Sequence, residues 1–201
     1  TFSSAASDVY KRQIQNGIDT FYYQTIDVEK KYDLVFVGNL SYVPNIDAAT
    51  YIANHLAPEL TKSKSNLKVL IAGSNPSSKL LKLQNDQITV RGWYHDIREA
   101  YESGKVFLAP MQIGTGLQNK LLEAMSMGIP CVTSSLANRS LKAVDGENIY
   151  VGDSVADYVE IITSLLDDES KRQKMGNEGR KFVEKNYNWA VSYTHLRAHE
   201  T

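Results

Sequence analysis

Between residues 34 and 151, short apolar runs alternate with longer segments of helical periodicity, which restricts the chain to folds built on a parallel sheet. The runs are 34–38 (LVFVG), 67–73 (LKVLIAG), 88–92 (ITVRG), 105–109 (KVFLA), 131–134 (CVTS) and 148–151. Apolar residues stand at successive rather than alternating positions in them, the pattern of strands buried on both faces. Helices are predicted over 44–60, where Ala48, Ile52, His55 and Leu56 share a face, and over 76–83, 96–102 and 116–127. Two more fill 154–187, parted near 167–170. The expected fold is α/β, a Rossmann-like doubly wound parallel sheet with helices on each side. Such sheets bind ligands beyond the carboxyl ends of their strands, which singles out the loops 38–45, 92–96 and 110–116.

Charge narrows the function. Lys plus Arg (22) nearly balances Asp plus Glu (23), so there is no global basic field to draw in nucleic acid, and any anion site must be local. The single cysteine, Cys131, sits in an apolar run and is expected to be a small buried hydrophobe. No apolar stretch approaches the roughly 20 residues that cross a bilayer, and no secretory leader pattern opens the chain.

Residues 1–13 and 191–201 lack the apolar periodicity found between them and resemble translated adapter read-through, especially SDVYKRQ and SYTHLRAHET. They are expected to be non-native flanks around one domain, 14–190. His195 and His199 have the spacing of a metal pair on a helix, but no third ligand accompanies them, and no metal site is expected.

The stretch 110–130 (PMQIGTGLQNKLLEAMSMGIP) carries the chemistry. Gly114 and Gly116 bracket Thr115 between a strand and a helix, where a tight turn aims free amides at a ligand. A helix start of this kind suits a pyrophosphate, to which Lys120 would add a full charge. Leu117, Leu121, Ala124 and Met125 form one helical face, and Asn119, Lys120 and Glu123 an adjoining polar side. A carboxylate one turn into the helix suits paired hydrogen bonds from vicinal sugar hydroxyls. By pattern alone, a solvated i,i+3 surface pair is the favoured reading of Lys120 and Glu123.

The run GTGLQNKLLEAMSMGIPCV resembles the signature of retaining family 4 of the glycosyltransferases, Glu-Ala-Met-Ala-x-Gly-x-Pro-Val-Val. Residues 35–48 (VFVGNLSYVPNIDA) resemble its first strand and glycine loop, 90–101 (VRGWYHDIREAY) a later segment, and Asn16-Gly17-Ile18-Asp19 its interdomain linker. The resemblance covers residues 14–189. It implies the donor-binding C-terminal domain of a two-domain GT-B enzyme, cut off from the N-terminal acceptor domain. The reaction implied is retaining transfer of a hexosyl group from a nucleoside diphosphate sugar to an acceptor hydroxyl, with no required metal. Within polysaccharide assembly, it implies a cytoplasmic setting and peripheral association with the cytoplasmic membrane face.

By position, Glu123 corresponds to the glutamate that binds the nucleotide ribose and Lys120 to a basic residue near the diphosphate. Gly38 and Asn39 belong to the glycine loop, Gly114, Thr115 and Gly116 lie at the sugar and phosphate end, followed by Leu117 and Asn119, and Trp93 and Tyr94 lie near the base. Core packing is an equal reading for the two aromatics. Two departures stand out: Thr115 occupies the place of the first glutamate of the Glu-x7-Glu pattern, and the loop GNLSYVPN has no cation. No residue offers itself as the catalytic proton acceptor; His55 and His95 are read as helix-face and loop residues. A GT-B sugar-nucleotide epimerase and a non-catalytic nucleotide-binding module are alternatives, since fold alone does not settle function.

Overall fold

Six strands pair in parallel in the order β3-β2-β1-β4-β5-β6. They are β1 (Tyr32–Val37), β2 (Val69–Ala72), β3 (Ile88–Arg91), β4 (Gly104–Ala109), β5 (Cys131–Thr133) and β6 (Tyr150–Val151). The computed structural model describes residues 17–114 and 116–188. Asn16, Thr115, Trp189, both flanks and the pair His195 and His199 lie outside the described residues.

The register follows from apolar runs of matched length: Phe36 stands opposite Ile71, Ile71 opposite Val90, and Val35 opposite Phe107. Leu34, Val35, Phe36, Leu70, Ile71 and Phe107 are fully buried, so the central strands do face apolar layers on both sides.

Between β1 and β2 the chain is helical as α1 (Val43–Tyr51), a π-helical turn (Ile52–Leu56) and α2 (Ala57–Thr61). Pro44 opens α1, where its missing N–H costs nothing. Ala48, Ile52 and Leu56 are buried as expected, but His55 is exposed, lying beside the Tyr51 ring at 5.3 Å. The wider π turn rotates His55 off the apolar face.

The helix expected over 76–83 shortens to α3 (Ser78–Leu81), capped by Ser77. Next come α4 (Ile97–Glu102), capped by Asp96, and α5 (Asn119–Ser126). α6 (Ser135–Leu141) is an element the sequence pattern did not show; Ser134 caps it, and only Ala137 and Leu141 are buried along it, too few for a periodic stripe. α7 (Val155–Asp167) opens on a Ser154–Asp157 capping box, and α8 (Glu169–Asn186) on Asp168.

Chain direction reverses along the sheet between β3 and β4. With right-handed crossovers, the helices before that point cover one face and those that follow start on the other. α7 returns to pack on the π turn and α2, whereas α8 packs on α5. The neighbours β1 and β4 carry connections that diverge to opposite faces, which opens a crevice at their carboxyl ends.

Candidate functional site

That crevice is an open cavity of about 480 Å³. Val37, Gly38 and Asn39 line it from the end of β1, Gly73 and Ser74 from β2, and Trp93 and Tyr94 from β3. Ile97 and Tyr101 of α4, and Asn119, Lys120 and Glu123 of α5, form further walls.

The β1–α1 loop is held by its own side chains. Asn39 Oδ1 accepts from the Ser41 backbone N–H at 3.0 Å and from the Ser41 hydroxyl at 2.8 Å. Asn45 Nδ2 donates to the Asn39 carbonyl at 2.9 Å. Gly38 is required by this packing, because a Cβ there would stand 2.7 Å from Asn45 Nδ2. Asn45 is buried, and its Oδ1 has no partner among the described residues.

The helix expected from Gly116 begins instead at Asn119, with Gln118 in an extended conformation as its N-cap. Gly114 and Gly116 take φ values of +100° and +89°, outside the helical region, so they shape the approach to α5 and are not its first turn. Neither glycine lines the cavity. Of the other expected positions, Gly38, Asn39, Trp93, Tyr94, Leu117, Asn119, Lys120 and Glu123 are brought around it, while Thr115 lies outside the described residues.

Lys120 and Glu123 are not a solvated pair. Lys120 Nζ donates to Gln118 Oε1 at 2.9 Å, lies 5.9 Å from the centre of the Phe36 ring, and has no carboxylate within ion-pair distance among the described residues. Burial pulls its pKa down from 10.5 to about 8, against the opposing influence of the Glu123 charge. Glu123 Oε2 accepts from the Tyr101 hydroxyl. Among the described residues the site therefore holds one cation and one carboxylate about a helical turn apart, the first without a carboxylate partner and the second accepting from a buried phenol.

Trp93 is 75% exposed and stacks on His95 at 5.9 Å, so it is not a core residue. Tyr94 is partly buried, with the Arg91 guanidinium 4.1 Å over its ring.

Sequence reasoning missed Tyr23, Asn45 and Tyr101. Tyr23 enters from a segment stapled across α5: Ser126 Oγ donates to the Tyr23 carbonyl at 2.8 Å and Thr25 Oγ1 to the Met127 carbonyl at 2.9 Å. Arg98 holds the same segment by donating to the Tyr22 carbonyl at 2.9 Å while paired with Asp96 at 2.7 Å, and hydrogen bonding from Arg98 lowers the Asp96 pKa. No periodicity marks such a segment. Tyr101 did carry a signal, because a tyrosine on the inward side of a helix must find an acceptor for its hydroxyl.

The family model for glycosyl transferases group 1 matches residues 31–168. The capsular polysaccharide biosynthesis glycosyltransferase CapM of Staphylococcus aureus is 28% identical over 143 residues, covering 66% of this chain and 37% of that protein. The C-terminal domain of the glycosyl transferase group 1 family protein LpcC from Francisella tularensis superposes with a TM-score of 0.68 at 18% identity, covering 86% of this chain and all of that domain (100%). Anabaena HepE in complex with UDP and glucose superposes with a TM-score of 0.73 at 12% identity, covering 91% of this chain and 54% of that one. At such identities the superpositions establish the fold alone. The chain spans less than half the length of the curated relatives it matches, 45% and 37% for the first two.

Proposed function

The chain belongs to the glycosyl transferases group 1 family, and on that premise we propose that it is the donor-binding domain of a GT-B hexosyltransferase acting in surface polysaccharide or glycoconjugate assembly. Its donor is a nucleoside diphosphate sugar. The observation that carries this reading is the placement of Lys120, without a carboxylate partner among the described residues, and of Glu123 around one crevice at the carboxyl ends of the strands.

In this reading the diphosphate lies toward Lys120 and the α5 N-terminus, the ribose meets Glu123, and the base lies toward Trp93 and Tyr94. As the bond from the anomeric carbon to the diphosphate breaks, the bond to the acceptor oxygen forms and the acceptor hydroxyl passes its proton to the departing diphosphate oxygen. Charge grows on the departing diphosphate, and Lys120 together with backbone amides stabilises it without a required metal. Retention at the anomeric carbon has the acceptor approach from the face the diphosphate leaves. The acceptor surface belongs to a second domain, so this chain binds nucleoside diphosphate without forming glycoside. That HepE is described in complex with UDP and glucose supports the donor class.

Calorimetry with UDP, GDP and ADP, alongside uridine, guanosine and adenosine, tests the assignment. One diphosphate should bind more tightly than its nucleoside. If none binds the folded chain at millimolar concentration, the donor-site reading is wrong.

A further inference from the structure

Glu123 is reached by two tyrosines from segments far apart in sequence. Tyr101 is fully buried on α4, packed at 5.4 Å against the Phe107 ring of β4, and its hydroxyl donates to Glu123 Oε2. Tyr23 borders the same carboxylate, with its own carbonyl tied down by Ser126. Both phenols are raised in pKa, first by burial and then by the Glu123 charge, so they remain donors.

Resting on the donor-site reading above, we propose that Tyr101 is a positioning residue: its hydroxyl fixes Glu123 so that the second oxygen, Oε1, accepts from the vicinal hydroxyls of a ribose, which sets a preference for ribonucleoside over deoxyribonucleoside diphosphates. A free glutamate side chain samples several rotamers, and ordering it on binding opposes affinity. Tyr101 has little freedom of its own. It lies in the core between α4 and β4, so the carboxylate is ordered before a ligand arrives. Tyr23 adds a weaker restraint from the partly buried side. A hydroxyl that merely completed the packing of the core would affect stability and leave the discrimination between sugars untouched.

Wild type, Tyr101→Phe and Tyr23→Phe are titrated with UDP, GDP and ADP and with dUDP, dGDP and dADP. Wild type should favour the ribo form of its nucleotide by roughly tenfold, the worth of a hydrogen bond to a charged group. Tyr101→Phe should reduce that preference to about twofold, weakening the ribo form more than the deoxy form, which keeps only the 3′ hydroxyl, and Tyr23→Phe should reduce it less. An undiminished preference in Tyr101→Phe, or equal weakening of both forms, overturns the assignment. Equal binding of both forms by wild type overturns it too, yet leaves the donor site standing. Absence of any diphosphate binding by folded wild type removes the donor site and the Tyr101 assignment together. Should Tyr101→Phe not fold, 4-fluorophenylalanine introduced at position 101 fills the space of the hydroxyl without a proton to donate; an undiminished ribo-to-deoxy preference there also overturns the assignment.

Discussion

Gly73 meets Gly38 backbone to backbone: a Cβ built on Gly73 would stand 1.7 Å from the Gly38 carbonyl oxygen. The two glycines directly follow β2 and β1, and both line the cavity. At Gly73 only hydrogen fits beside the Gly38 carbonyl.

Gly73→Ala should therefore destabilise the fold by about 2–4 kcal/mol, because the clash is with backbone and φ is +142°. Gly116→Ala makes the contrast: φ is +89°, but nothing among the described residues lies within 4 Å of the added carbon. Its cost should be only about 1 kcal/mol, from conformation alone. Urea unfolding of both variants checks the difference, and equal losses would contradict the backbone contact.

Lys120→Ala should weaken nucleoside diphosphate binding by about 1–3 kcal/mol and leave the nucleoside nearly unaffected. Because burial pulls the Lys120 pKa down to about 8, diphosphate affinity should fall as pH rises through about 8. The diphosphate itself, with a second pKa of about 6, does not change charge there. A pH-independent affinity between 7 and 9.5 would show that Lys120 does not face the anion.

The same shift sets a slope in stability. Lys120 has a folded-state pKa of about 8, below the ordinary 10.5, so between those values the unfolded chain binds more protons than the folded one. The cost of burying the charge is fully present below pH 8 and is relieved as pH rises toward 10.5. Lys120→Met should flatten that part of the stability profile, as measured by denaturant midpoints across the range.

Glu123→Ala should weaken nucleoside and nucleoside diphosphate alike, since its partner in the proposed complex is the ribose. It also strips the buried Tyr101 hydroxyl of its acceptor, at a cost of about 1–3 kcal/mol in stability. Glu123→Gln keeps an acceptor for the phenol and should recover much of that stability. Thermal unfolding of the two variants distinguishes these effects.

Cys131 should resist thiol reagents in the native state and react promptly once the chain is unfolded. It is fully buried on β5, its Sγ contacts the Ile129 carbonyl at 3.2 Å, and burial raises the thiol pKa. Rapid native labelling would mean that β5 opens on its own.

The sequence by itself determined the sheet, its parallel sense and the crevice end of the strands, because continuous apolar runs such as 34–37 and 69–72 have no other way to hide two faces. It also determined α7 and α8, whose breaks fall at Ser154 and Asp168, residues that cap by local chemistry. Helix limits set by neighbours were not legible. α5 begins at Asn119 because the positive φ of Gly116 delays it, and the π turn at Ile52–Leu56 follows packing that no 3.6-residue pattern encodes. Among site residues, Lys120 and Glu123 were visible by spacing on one helix. Tyr23 was not, nor was the meeting of Tyr101 with Glu123, because only folding brings a segment near residue 23, a helix near 100 and another near 123 to the same carboxylate. Whether Lys120 was a solvated partner of Glu123 or a partly buried cation held by Gln118 depended on burial and on what else each side chain could reach, which are properties of the assembled structure.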